Sequence, residues 1–178
     1  YWYKMEVFRL SREKFASPLS GKGAAIKGAR WNSIGVELIY TAKNRSLAMA
    51  EVAVHFTLAT LPDDYVMLII SIPDDLTIEE VLESDLPKDW RDFPHPISTQ
   101  KFGDDFVLEA KHCVLAIPSV VTKGDYNILI NPNHKDFDKI KVTRKEMEEL
   151  PQYSITTSTN STPKSEFVGV KFKDIINK

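Results

Sequence analysis

Glu51 is the residue whose surroundings most suggest chemistry. It lies in the run Leu47-Ala48-Met49-Ala50-Glu51-Val52-Ala53-Val54-His55-Phe56. That run is apolar on nearly every side, so it predicts a helix buried all round. A carboxylate there is costly unless it is paired or lines a cavity. His55 follows at i+4 on the same helical face. Two readings stand: an exposed stripe or satisfied Glu–His pair without chemical work, or a carboxylate turned toward a ligand. Arg30 is the second candidate. It follows Gly21, Gly23 and Gly28, and a guanidinium beside permissive backbone suits a phosphate or carboxylate, which its planar fork grips with two bonds. The spacing matches neither a Walker loop nor a dinucleotide fingerprint, so an arginine that bridges a turn stays open as the plainer reading.

Four further residues have the right types. Arg9 sits among apolar neighbours in a first strand and points either outward or into the same cleft. Tyr40 ends an apolar strand and offers a ring face to a planar base, with a hydroxyl at its rim; a core tyrosine is the alternative. Ser119 follows Pro118 at a strand end, and no G-x-S-x-G elbow surrounds it, which argues against a serine hydrolase. Asn131 ends the next strand in Asn131-Pro132-Asn133-His134, a sequence equally suited to a turn. His95, His112 and His134 have no metal-ligand spacing, so no metal site is expected. Cys113 is the single cysteine. It reads as a small buried hydrophobe and leaves no partner for an intramolecular disulfide.

These side chains must be positioned by a mixture of strands and helices. Alternating or continuous apolar runs predict strands over 5–10, 36–41, 65–72, 113–117, 126–130 and 140–142. A glycine-rich loop is expected around 21–28. The helix that carries Glu51 should start at an Asn44 or Ser46 cap and run to Leu61, before Pro62. Thr77 suggests the cap of a short helix over 77–82, and a longer helix is expected over 98–110. Between them, Trp90, Phe93, Pro94 and Pro96 predict an irregular surface loop. No regular βαβ rhythm appears, so the fold class is α+β, a single compact domain over 5–146. Residues 154–165 are mostly Ser and Thr, and 147–178 reads as a flexible polar tail.

Composition narrows the function classes. The 178 residues are 43% apolar and 27% charged, an ordinary globular balance. The net charge of -2 gives no general attraction to nucleic acid phosphates. No apolar stretch approaches the ~20 residues of a membrane helix, and no leader pattern opens the chain, so a cytoplasmic protein is expected.

The ordered set of residues resembles the RES domain family. Gly28-Ala29-Arg30-Trp31-Asn32, Gly35, Ile39-Tyr40-Thr41, Leu47-Ala48 with Glu51 and His55, Ile117-Pro118-Ser119, and 127–132 with His134, Asp136 and Phe137 all fall in family order. The resemblance spans about 8–142. It implies a mixed, split β-sheet similar to ADP-ribosyltransferases and a toxin silenced by an Xre-type antitoxin. It also implies an enzyme that consumes NAD as substrate and needs no cofactor. Arg30, Glu51 and Ser119 match the family's catalytic residues, and Arg9, Tyr40 and Asn131 its substrate-binding ones. Cleavage of the nicotinamide–ribose bond by water or phosphate is the expected reaction. Transfer of ADP-ribose to a protein is the alternative, and a ribonuclease using Arg30 and His55 is a more distant one. A homo-oligomer stays open.

Overall fold

The computed structural model describes residues 5–54 and 64–147. Among them, seven strands form one sheet: β1 (Met5–Arg12), β2 (Ile39–Ala42), β3 (Tyr65–Ile72), β4 (Ile78–Glu80), β5 (Val114–Pro118), β6 (Tyr126–Ile130) and β7 (Lys141–Met147), in the order β4-β5-β6-β2-β1-β3-β7. The sheet is mixed, because β4 pairs parallel to β5 while every other pair is antiparallel. Three helices accompany it: α1 (Lys22–Lys27), α2 (Arg45–Ala53) and α3 (Ile97–Glu109). The expected α+β class is what the chain adopts.

The sheet is opened at one joint. β1 and β3 pair at eight positions, from Met5↔Ile72 to Arg12↔Tyr65, yet β1 and β2 meet only at Phe8↔Ala42. Two half-sheets therefore diverge from a single bridge. Strand alternation gives each face its own core. Val7, Ile39, Leu68, Ile70, Val114 and Ile130 fill one side. On the other, Leu10, Met67 and Ile69 pack under Leu47 and Ala48 of α2, and Leu115, Ile117 and Leu129 pack under Trp31, Phe106 and Val107. α2 and α3 thus cover the same face, on either side of the joint.

Several elements differ from the sequence expectation. In place of the helix expected over 77–82, Ile78–Glu80 form β4, because parallel pairing with β5 selects extended backbone over a capped turn. The glycine-rich segment is not a loop throughout; α1 forms there and stops at Gly28, whose φ of 69° is a left-handed value that favours glycine. β2 begins at Ile39 rather than 36, since the Val36 carbonyl accepts from the Asn32 side chain instead of a strand partner. α2 is not buried all round: only Leu47 and Ala48 are buried, and the helix ends at Ala53. The remainder of the expected helix over 55–61, including His55, lies outside the described residues, as do 148–178 of the expected tail. Met147, expected to begin the tail, instead ends β7. That strand is exposed and charged, so its side chains look like loop; the backbone edge of the wholly buried β3 is what orders it.

Gly103 reports how tightly α3 is set. A Cβ there would fall 1.8 Å from the Trp31 carbonyl oxygen and 2.7 Å from its carbon. Backbone cannot yield as a side chain does, so the gain in helix propensity is outweighed by overpacking. Gly103→Ala is expected to lose about 2–3 kcal/mol, read as a fall in Tm of about 5–10 °C by thermal denaturation. Gly23→Ala, where nothing lies within 4 Å, serves as the control and should not lower Tm.

Candidate active site

α2 is aimed by its first turn. Asn44 caps it by accepting from the Leu47 amide at 2.8 Å, and the Asn44 side-chain amide donates to Asp125 at 3.0 Å. The helix start is thereby tied to the turn between β5 and β6. Two turns on, Glu51 reaches that same region. Its Oε1 accepts from Ser119 Oγ at 3.0 Å and from Asn127 Nδ2 at 2.7 Å. Among the described residues no donor reaches Oε2, so one oxygen is fixed and the other is left for a ligand. This arrangement answers the question raised by Glu51: the carboxylate is half-buried and lines a cavity.

Ser119 is only 2% exposed. Its Oγ donates to Glu51 and accepts from the Val121 and Thr122 amides at 3.0 and 3.1 Å. With its proton and both lone pairs engaged, it orients Glu51 and is not an activated nucleophile. Asn127, the second donor to Glu51, belongs to the family pattern but was not among the candidate site residues. The available signal was a polar residue inside the otherwise apolar β6.

Arg30 is delivered by a short bridge in which the Ala29 amide donates to the Asn32 carbonyl at 2.9 Å. Asn32 is wholly buried and is the hub of this segment. Its Nδ2 donates to the carbonyls of Ala24, Ser33 and Val36 at 3.0–3.1 Å, and its Oδ1 accepts from the Tyr40 hydroxyl at 2.8 Å. Trp31 is buried beside Trp90 and Phe102, with ring centroids 6.5 and 6.0 Å away. Arg30 Nη1 donates to the carbonyls of Trp90 and Asp92 at 2.5 and 3.0 Å. Burial lowers the Arg30 pKa from its ordinary value, while the charges of Glu51 and Asp92 oppose that shift. A guanidinium so far above neutrality stays charged.

Arg9 donates to the Ser20 carbonyl at 3.1 Å and forms no ion pair among the described residues. Burial alone lowers its pKa, as expected of a cation without a carboxylate close by. Tyr40 presents its ring, not its hydroxyl. That hydroxyl donates to Asn32 and accepts from the Trp31 amide at 3.0 Å, and burial raises its pKa. Asn131 is placed elsewhere. It follows the opposite end of β6 from Asn127, donates to the Val107 carbonyl at 3.1 Å and accepts from the Asn133 amide at 2.9 Å. This is the turn reading of that residue; it is not among the residues that line the cavity.

The cavity measures about 550 Å³ and is lined by Arg9, Arg30, Tyr40, Glu51 and Asn127, together with Phe8, Phe93, His95, Val120 and others. Its volume suits a nucleotide-sized ligand. Two guanidiniums against one carboxylate favour an anion, with the Glu51 Oε2 available to hydroxyls or developing positive charge. Among the described residues no three His, Cys, Asp or Glu side chains are grouped as a metal would require. No described helix is long and apolar enough to cross a membrane.

Comparisons with known proteins find relatives over most of the chain. The RES domain matches over residues 6–153. The Prs ADP-ribosylating toxin of Sphingobium sp. (strain YBL2) is 35% identical over 131 residues, covering 72% of this chain and 81% of the relative. Toxin Res of Photorhabdus laumondii is 35% identical over 147 residues, covering 81% and 92%. Toxin Res of Yersinia enterocolitica is 33% identical over 134 residues, covering 75% and 88%. In fold, the chain is similar to a chain in the crystal structure of the Mycobacterium tuberculosis MbcT–MbcA toxin–antitoxin complex. The TM-score is 0.60 at 18% identity, with 83% of each chain covered. The match over most of its length, and relatives that are themselves toxins, show that this chain belongs to the RES domain family.

Proposed function

We propose that this chain is the toxin of a toxin–antitoxin pair and that it cleaves the nicotinamide–ribose bond of NAD. The carrying observation is the Glu51 carboxylate, held at Oε1 by Ser119 and Asn127 inside a cavity that also holds two arginines. Breaking that bond sends its electron pair to the nicotinamide nitrogen and leaves an oxocarbenium-like ribose. Glu51 Oε2 stabilises this cation, more strongly in a partly dry cleft than in water. Arg9 and Arg30 hold the pyrophosphate, and the Tyr40 ring packs on the nicotinamide. Ser119 and Asn127 act through Glu51 by fixing its orientation. No cofactor enters this scheme; NAD is the substrate.

Water or phosphate then attacks the ribose carbon and loses a proton. A second reading, transfer of ADP-ribose to a protein, is favoured by the name of the Sphingobium relative. The likeness to a chain of a toxin–antitoxin complex, together with the toxin names, supports an antitoxin partner; that this partner is of the Xre type and acts in the cytoplasm is part of the proposal. Incubation of the purified chain with NAD, with and without phosphate, followed by mass spectrometry, tests the proposal. Nicotinamide with ADP-ribose or ADP-ribose-1″-phosphate is the expected outcome. A modified protein would install the transfer reading, and intact NAD under every condition would overturn both.

A further inference from the structure

The loop between Trp90 and Pro96 is pinned from several sides. Trp90 is buried against Trp31. The carbonyls of Trp90 and Asp92 accept from Arg30, the Asp92 amide donates to the Asp89 carbonyl at 2.8 Å, and Ser98 Oγ donates to the Asp89 carboxylate at 2.6 Å. Despite these anchors the next residue, Phe93, is 82% exposed. Among the described residues only Phe15 and Phe93 are exposed phenylalanines, and of the two only Phe93 lines the cavity. Its ring meets that of His95 in a T-shaped contact, with centroids 5.7 Å apart and planes at 88°. An exposed aromatic ring is thus held at the cavity by an anchored loop, an arrangement that lowers the entropic cost of stacking a planar ligand.

The order of groups across the cleft identifies what stacks there. Glu51 is half-buried and bonded to the buried Ser119. Arg30 lies between, electrostatically coupled to Glu51 and bonded to the loop one residue before Phe93. Phe93 stands at the rim. NAD runs from nicotinamide riboside through pyrophosphate to adenosine, so a substrate with its scissile bond at Glu51 and its phosphates at Arg30 brings its adenine to Phe93. We propose that Phe93 is the platform for the adenine base and sets the preference for dinucleotide over mononucleotide substrates. This inference rests on NAD being the ligand of the cavity.

The test is calorimetric titration of the full chain and of Phe93→Ala with ADP-ribose, which has the adenine but no bond to cleave, and with nicotinamide mononucleotide, which lacks the adenine. Phe93→Ala is expected to weaken ADP-ribose binding by about ten-fold or more and leave the mononucleotide unchanged, with Phe93→Trp restoring affinity. The ring is exposed, so Phe93→Ala should keep the parental Tm. Unchanged ADP-ribose binding, an equal loss with both ligands, or a parent chain that binds neither would each overturn the platform. Because ADP-ribose has no bond for the proposed reaction to cleave, a chain that binds it through Phe93 but leaves NAD intact would sink the reaction and spare the platform.

Discussion

Glu51→Gln is expected to reduce NAD consumption by about a thousand-fold while the protein stays folded. The substitution preserves volume, and an amide oxygen can still accept from Ser119 and Asn127. It then turns an NH2 group toward the place where, in the proposed reaction, Oε2 faces the developing ribose cation. A negative charge that matters most in the transition state is replaced by a donor. Loss of one preorganised electrostatic contact of this kind costs about 10²–10³ in kcat, and a change of charge belongs at the upper end. The readout is nicotinamide release at saturating NAD, with Tm measured alongside. A folded Glu51→Gln protein that works at the parental rate would remove Glu51 from the mechanism.

The largest expected effect on stability comes from Asn32→Asp. The Asn32 amide nitrogen faces three backbone carbonyls within 3.1 Å, and the residue has no exposed surface. Aspartate has nearly the same shape but puts an acceptor oxygen against those carbonyls and buries a charge without a cation. Leaving a buried charge uncompensated costs about 3–5 kcal/mol, a large part of the 5–15 kcal/mol typical of a domain. A fall in Tm of about 10 °C or more is expected at neutral pH, followed by circular dichroism. A melting point within about 2 °C of the parent would mean that Asn32 does not hold the segment together. Activity should fall as well, because Arg30, Trp31 and the Tyr40 hydroxyl are all positioned from this residue.

Much of the architecture was legible because local pattern and tertiary packing agree. The apolar run over 65–72, broken by Ser71 alone, is β3, buried along its whole length, and the 126–130 run is β6. The helix expected over 98–110 is α3, shifted by one residue at each end. Where pattern failed, pairing with a distant strand had overridden it. Thr77 resembles a helix cap, but the parallel partner β5 decides for a strand; the strand expected over 140–142 runs on through charged residues to Met147, because the edge of β3 pairs with it. The candidate site divides in the same way. Residue types and their order were enough to nominate Arg9, Arg30, Tyr40 and Glu51, all of which line one cavity, and Ser119, which bonds to Glu51 from behind.

What the sequence by itself determined was the membership: the alternating and continuous apolar runs that make the strands, and an ordered series of polar residues that a core would not need. Only the tertiary structure decided the working parts. It gave Asn127 its hold on Glu51, committed the Tyr40 hydroxyl to Asn32, placed Asn131 in a buried turn, and left Phe93 bare at the rim. The physical reason is that polar side chains are satisfied by whatever donors and acceptors folding brings near. Asn127 and Glu51, for example, lie 76 positions apart in the chain, beyond the reach of any local pattern.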